Sequence, residues 1–205
     1  MGRRFAVLAV LLIAGAGAFG YFWPGEARAV VRRLADPLVL ARVEDHAEAI
    51  RAAALESGLD PCFLAAMVYA ESSGRVDAVS DAGALGLMQL LPDAVHDAAR
   101  RLGIEEPARE LLLQDATLNL RLGASHFAWT QAHENDDPVK ALVAYNAGRT
   151  KLRRWERAAG GYAAWYREQR AAGDSSVLAY AERVLSTTEV FRERGTIAPE
   201  PRPAP

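Results

Sequence analysis

Glu71 is the residue whose surroundings most clearly indicate chemistry. It follows an uncharged stretch, residues 61–70, and Leu64, Met67 and Val68 precede it on the same face of a predicted helix. An apolar wall and the negative end of a helix dipole both disfavour a carboxylate, so we expect a raised pKa for Glu71. A carboxyl group that is neutral near pH 7 can donate a proton, as the general acid of glycosidic-bond cleavage must. The alternative is a glutamate in a frayed last turn that simply faces water.

Glu71 begins a Glu-Ser pair, and three more short motifs follow it. They are Ser80-Asp81-Ala82-Gly83-Ala84, Gly86-Leu87-Met88-Gln89-Leu90-Leu91-Pro92 and Ala144-Tyr145-Asn146-Ala147-Gly148. In this order and at these separations, the motifs resemble those of the SLT-type lytic transglycosylase family, relatives of goose-type lysozyme. The resemblance covers about residues 45–190. It implies an all-α, lysozyme-like domain with a substrate groove, acting on the glycan strands of peptidoglycan.

The resemblance also implies a role for each candidate site residue. Glu71 is expected to be the single catalytic acid/base, and the hydroxyl of Tyr145 is expected to reach its carboxyl group. Ser80 is expected near that carboxyl group and the N-acetyl group of the substrate. The other candidates are expected to contact the sugars or to line the groove: Met88, Gln89, Asn146 and Tyr180.

Each of these assignments has a structural alternative. Ser80 could serve only a turn, Gln89 could lie on a loop surface, and Tyr145 could belong to the core. Tyr180 also fits an ordinary amphipathic helix. The alternatives weaken when the residues are taken together with Glu71, because they then form one set of motifs.

The chain departs from the family pattern beside several motifs. Asp81 follows Ser80 where the family usually has proline, and Arg149-Thr150 replaces a Pro-Gly pair after the Tyr-Asn-Ala-Gly motif. None of these differences changes Glu71, Gln89 or Tyr145. They leave open the shape of the sugar subsites and the preferred length of the glycan.

A single carboxyl group suffices for cleavage when the substrate supplies the attacking oxygen. Glycosidases usually place two carboxylates across the scissile bond, but the resemblance gives no catalytic role to Asp77 or Asp81. In the expected reaction, Glu71 protonates the bond between N-acetylmuramic acid and N-acetylglucosamine. It then accepts the proton of the muramic 6-hydroxyl as that oxygen attacks C1, which forms a 1,6-anhydromuramic end. A lysozyme-like hydrolase and a non-catalytic peptidoglycan-binding envelope protein are the alternative functions.

The apolar residues recur at helical spacing throughout, which predicts an all-helical domain. Asp60-Pro61 is a helix start, and the glycines and Pro92 indicate a loop over residues 80–91. Helices are predicted at about residues 37–57, 61–72, 93–102, 115–133, 138–148, 151–158, 163–171 and 175–194. Glu71 and Tyr145 are therefore expected near helix ends, and Gln89 in a loop.

The N-terminus has the features of an export signal. Arg3 and Arg4 precede an uncharged run from Phe5 to Trp23, which fits either a cleaved signal peptide or a retained inner-membrane anchor within residues 1–29. We expect a linker and the start of the first helix over residues 30–44, the SLT domain over 45–195, and a disordered proline-rich tail over 196–205. The protein is expected in the periplasm or cell envelope.

Charge and composition restrict the partners. The 24 basic and 26 acidic residues leave a net charge of −2, so we expect no nucleic-acid partner. The single cysteine, Cys62, excludes an internal disulfide and a cysteine-based zinc site. The four histidines lack metal-ligand spacing, and we assign no role to His126 or His133. A monomer without metal or cofactor is expected.

Overall fold

The computed structural model describes residues 37–197. The chain divides into two units between Ala41 and Arg42. Residues 37–41, which are helical, are the described part of the first unit, and the core and the candidate site lie in the second. The predicted export segment and residues 198–205 of the predicted tail lie outside the described residues. Of that tail, Thr196 and Ile197 are described: Thr196 donates a hydrogen bond to Glu44 (2.6 Å), and Ile197 is buried.

Helices alone make up the regular structure of residues 37–197. There are ten, without any β-strand in this range: α1 (37–44), α2 (Ala47–Ser57), α3 (Pro61–Ser72), α4 (Pro92–Leu102), α5 (Arg109–Leu112), α6 (Ala116–His133), α7 (Pro138–Ala147), α8 (Arg149–Ala159), α9 (Tyr162–Ala172) and α10 (Ser176–Arg194). The predicted all-α fold is confirmed. No helix within the described range has the length and apolar character required to cross a membrane.

The first predicted helix is interrupted by a turn at residues 45–46. The turn lies against the end of α3, where Arg42 donates a hydrogen bond to the Ser73 carbonyl (2.9 Å) and Nε2 of His46 lies 3.2 Å from the Gly74 carbonyl. Gly74 has a positive φ of 73°, and a Cβ there would lie 3.0 Å from the backbone nitrogen of Val43. The break is therefore caused by packing against the end of α3, which cannot be predicted from the local spacing of apolar residues.

Helix α3 begins where the sequence predicts. The Asp60 side chain accepts hydrogen bonds from the amides of Cys62 and Phe63, and Pro61 occupies the first turn. Residues 64–68 are all completely buried. The helix ends at Ser72 and is capped by Ser73, whose φ of 55° is left-handed. Glu71 therefore stands in the last turn of a core helix.

The packing of α10 brings a distant part of the chain to α3. Helix α10 packs mainly against α3 and α7, while α6 packs against α2, α4 and α7. A cluster of buried apolar residues joins the last four helices, α7 to α10: Val143, Ala144, Leu152, Trp165 and Leu178. This arrangement places Tyr180 of α10 next to Glu71.

Candidate active site

The carboxyl group of Glu71 accepts a hydrogen bond from a side chain of α10. The hydroxyl of Tyr180 donates to Oε1 of Glu71 over 2.6 Å. Burial of the carboxyl group raises the pKa of Glu71 from 4.5 to about 7, and the bond from Tyr180 opposes that rise. The carboxyl group is therefore divided between its neutral and ionised forms near neutral pH, so it can both give and take a proton.

The two tyrosines of the site have different partners. Tyr145 donates to the Met88 carbonyl (2.7 Å), so the hydrogen bond to Glu71 that was expected from Tyr145 comes instead from Tyr180. The physical reason is the packing of α10 along α3, which brings Tyr180 to the carboxyl group. Burial raises the pKa of both tyrosines well above 10, and the charge on Glu71 raises them further. Both hydroxyls therefore stay protonated and act as donors.

The side chain of Gln89 forms hydrogen bonds within the loop to which it belongs. Its φ of 48° is left-handed, and its side-chain nitrogen donates to the carbonyls of Ala78 (3.2 Å) and Gly86 (3.0 Å). The two amide hydrogens are used within the loop. Contact with a sugar hydroxyl would therefore fall to the carbonyl oxygen of the side chain.

Met88 does not line a groove with its side chain, contrary to the expectation. The side chain is completely buried against α6, where a Cβ on Gly123 would lie 2.5 Å from the Cβ and Cγ of Met88. The close approach of the loop to α6 is possible because residue 123 has no side chain. Met88 instead presents its backbone carbonyl to Tyr145.

Asn119 holds this loop in place, a role that was not predicted from the sequence. The residue is completely buried in α6. Its Oδ1 accepts from the Met88 amide (2.9 Å), and its Nδ2 donates to the carbonyls of Leu85 and Leu112 (3.1 Å each). One signal in the sequence could have indicated this role: Asn119 stands between Leu118 and Leu120 in an apolar stretch. A polar side chain that is buried in such a stretch requires hydrogen-bond partners.

Ser80 has a turn role in the structure. Its Oγ accepts from the Ala84 amide (3.0 Å), and its carbonyl accepts from the Gly83 amide (2.9 Å). No hydrogen bond joins Ser80 to Glu71 in residues 37–197. The proton of the Ser80 hydroxyl can still be donated to a ligand.

Three of the predicted residues open into one cleft with a volume of about 710 Å³: Gln89, Tyr145 and Asn146. The other four, Glu71, Ser80, Met88 and Tyr180, are not part of its lining. Tyr145 links the two groups, because it lines the cleft and its hydroxyl also feels the charge of Glu71.

Two aromatic residues of α6 line the same cleft and were given no role from the sequence. The ring of His126 lies 5.5 Å from that of Tyr145, and burial lowers the pKa of His126 to about 4, so the ring is neutral at pH 7. The Trp129 ring lies below two guanidinium groups, Arg101 at 5.1 Å and Arg149 at 4.7 Å. Within residues 37–197 we find no group of three or more His, Cys, Asp or Glu arranged to hold a metal ion.

Comparison with known proteins gives one consistent family. Residues 48–167, more than half of the chain, match the model of the transglycosylase SLT domain. The chain is 33% identical over 128 residues to the membrane-bound lytic murein transglycosylase F of Alcanivorax borkumensis, covering 60% of this chain and 24% of that protein. It is 36% identical over 101 residues to a transglycosylase of Enterobacteria phage PRD1, covering 49% and 34% respectively.

Solved structures of lytic transglycosylases have a similar fold to this chain. The lytic transglycosylase Slt of Pseudomonas aeruginosa, solved as an inactive mutant, superposes with a TM-score of 0.64 at 26% identity, over 75% of this chain and 25% of that one. The 70 kDa soluble lytic transglycosylase of Escherichia coli gives 0.62 at 20% identity, again over 75% and 25%. This chain therefore spans a quarter to about a third of the proteins it resembles.

Proposed function

Because the chain belongs to the transglycosylase SLT family, we propose that it is a peptidoglycan lytic transglycosylase with Glu71 as its catalytic acid/base. One observation carries the assignment of Glu71: a carboxyl group at the end of a core helix, with a pKa of about 7 and a tyrosine donor on one oxygen. General acid/base catalysis is most efficient when the pKa of the group lies near the working pH.

The reaction needs Glu71 in both protonation states. Neutral Glu71 donates its proton to the oxygen that joins N-acetylmuramic acid to N-acetylglucosamine, and the bond from that oxygen to C1 of the muramic sugar breaks. Ionised Glu71 then takes the proton of the muramic 6-hydroxyl while that oxygen bonds to C1. The carboxyl group is neutral again, the product ends in 1,6-anhydromuramic acid, and no water is consumed.

Tyr180 stabilises the intermediate form of the catalyst. Its hydroxyl donates to the carboxylate, which favours the ionised state between the two proton transfers. The hydrogen bond also holds the carboxyl group in one orientation. In this mechanism Tyr180 is a positioning residue, because it acts on the substrate only through Glu71.

The remaining candidates bind or shape the substrate. Gln89 and Asn146, which both line the cleft, contact the sugars, and Ser80 offers its hydroxyl proton to the N-acetyl group. Tyr145 holds the loop through the Met88 carbonyl. Met88 therefore contributes its backbone rather than its side chain.

The N-terminus is the basis for a proposed location of the protein. The charged-then-apolar N-terminus supports export to the periplasm or envelope, with residues 5–23 as a cleaved signal or an inner-membrane anchor. The name of the Alcanivorax relative includes membrane attachment. We propose a monomer acting on glycan strands.

Digestion of purified peptidoglycan tests the function and the role of Glu71 together. Wild-type protein is expected to release muropeptides with anhydro ends, which are one water lighter in mass spectrometry than the reducing ends of a hydrolase. Glu71→Gln keeps the shape of the side chain without its acid and is expected to lower the rate by at least about 10³-fold.

The control for this assay is Glu168→Gln, on the exposed surface of α9. It removes the same charge away from the site and should digest at the wild-type rate. Reducing ends in the products would favour the hydrolase, and equal release by Glu71→Gln would remove Glu71 from the mechanism.

A further inference from the structure

The cations of α8 form two groups with different surroundings. Arg149 and Arg153 donate to Oε1 of Glu134 at 2.9 and 3.2 Å. The Glu134 side chain is completely buried, and Lys140 lies 3.1 Å from its other oxygen. A buried carboxylate needs such partners to offset its lost hydration. These two arginines therefore attach α8 to the rest of the domain.

The second group of cations faces the cleft. Lys151, Arg154 and Arg157 line it and are exposed. Neither Arg154 nor Arg157 makes an ion pair with any residue between 37 and 197. They stand three residues apart on one face of the helix, so both side chains can reach the same ligand.

The cleft is positive although the protein is not. Arg149 lines it but is paired with the buried Glu134, which leaves the three cations of the second group against the carboxylates of Asp93 and Asp97. His126 adds no charge at neutral pH. The sequence as a whole has a net charge of −2, so the excess of cations in the cleft is local.

We propose that Arg154 and Arg157 bind the carboxylates of the peptide stems that hang from the muramic sugars of the substrate. This inference rests on the proposed function. In intact peptidoglycan the lactyl carboxyl of each muramic sugar is bonded to the stem as an amide, so the sugar chain itself carries no anion, whereas the stem carries several carboxylates, which match the planar guanidinium group. Gln89, Tyr145 and Asn146 line the same cleft, so a sugar bound to them brings its stem to α8. Asp93 and Asp97 repel the same carboxylates from the α4 side.

A binding assay with catalytically inactive protein tests the inference. Glu71→Gln protein is mixed with intact peptidoglycan sacculi, or with beads that carry stripped glycan, which is glycan strands freed of their stems by an amidase, and the bound fraction is measured after sedimentation. The stripped glycan keeps one carboxylate on each muramic sugar, at its lactyl group. We expect Arg154→Gln/Arg157→Gln in this background to bind intact sacculi about tenfold more weakly at low salt. Binding to the stripped glycan should fall much less, because its only carboxylate is held close to the sugar ring, and added salt should reduce the difference on intact sacculi.

Arg100→Gln/Arg109→Gln is the matched control. Both residues are exposed and outside the cleft, and the double variant loses the same two charges. It should bind intact sacculi and the stripped glycan as the parent does. A general effect of net charge would weaken both double variants equally and would overturn the inference.

Other outcomes also decide the question. Equal weakening of Arg154→Gln/Arg157→Gln on intact sacculi and on the stripped glycan assigns the contact to the sugar chain and overturns the stem contact, and so does unchanged binding to intact sacculi. The assay needs no turnover, so a wild-type protein that fails to digest peptidoglycan would refute the proposed function while leaving this result interpretable. In active protein the double variant should raise KM for stem-bearing substrate and leave kcat unchanged.

Discussion

At the scale of single residues, Tyr180 and Tyr145 differ in the oxygen that accepts their hydroxyl proton. Tyr180 donates to the Glu71 carboxyl group, and Tyr145 donates to the Met88 carbonyl. A donor to a carboxylate stabilises the ionised form and lowers its pKa. The two tyrosines should therefore have different effects on the pH dependence of the reaction, although each loses a single hydroxyl on substitution by phenylalanine.

For the wild-type protein, kcat/KM is expected to fall as the pH rises above about 7, because Glu71 must be protonated to act as the acid. Tyr180→Phe removes the bond that favours the carboxylate, so the pKa of Glu71 should rise further. We expect the alkaline limb to move upward by about one pH unit. The measurement is kcat/KM for muropeptide release between pH 5 and about 9.

Tyr145→Phe is the control for this prediction. It loses its bond to the Met88 carbonyl and is expected to be slower, because the loop is held less firmly. Its alkaline limb should stay at the wild-type pH. A limb that moves in Tyr145→Phe and stays in Tyr180→Phe would contradict the assignment of Tyr180 to Glu71.

At the scale of elements, the site depends on how a loop is attached to a helix. Residues 85–90 carry Met88 and Gln89, and Asn119 of α6 supplies a side chain with three hydrogen bonds to this loop and to Leu112. Gly86 permits the contact, because a Cβ there would lie 2.2 Å from Nδ2 of Asn119. The position of Gln89 is therefore determined from α6.

Asn119→Ala is expected to lower the free energy of unfolding by about 3 kcal/mol or more, since it leaves one amide and two carbonyls without their partner in a buried site. Urea denaturation measures the change. Thr130→Val, also buried in α6, removes only a bond to the His126 carbonyl of the same helix and should cost less than about 1 kcal/mol. A loss in Asn119→Ala no larger than in Thr130→Val would argue against this role of Asn119.

Helix starts were the most predictable elements. Asp60-Pro61, Asp115 and Asp137-Pro138 begin α3, α6 and α7, each with an aspartate accepting a backbone amide. The short helix α5 and the turn at residues 45–46 were not predicted. Start signals are local, whereas these two features depend on contacts with distant residues.

At the scale of the whole molecule, a buried catalytic acid has a cost in stability. The pKa of Glu71 is about 7 in the folded protein and near 4.5 when exposed. Between these values the unfolded chain releases the proton and the folded protein keeps it, which favours unfolding increasingly as the pH rises. The contribution of the neutral carboxyl group to the free energy of unfolding is fully present below pH 4.5 and is lost as the pH rises to about 7.

Glu71→Gln cannot ionise, so it should be more stable than the wild type above pH 7, by about 2–3 kcal/mol. The difference should grow between pH 4.5 and 7 and be small below that range. Urea denaturation at a series of pH values measures it. Glu168→Gln, at an exposed position, should show a difference below about 0.5 kcal/mol at every pH. A pH-independent gain in Glu71→Gln would contradict the raised pKa.

The sequence by itself determined the helical class, the main helix starts and the apolar surroundings of Glu71, because these depend on residues within a few turns of one another. Only the tertiary structure decided which tyrosine reaches the carboxyl group, that Met88 is buried, and that Asn119 holds the loop. Those contacts join residues 109, 57 and 31 positions apart. Their partners depend on how the helices pack, and this packing is set by the sum of many small contacts across the domain.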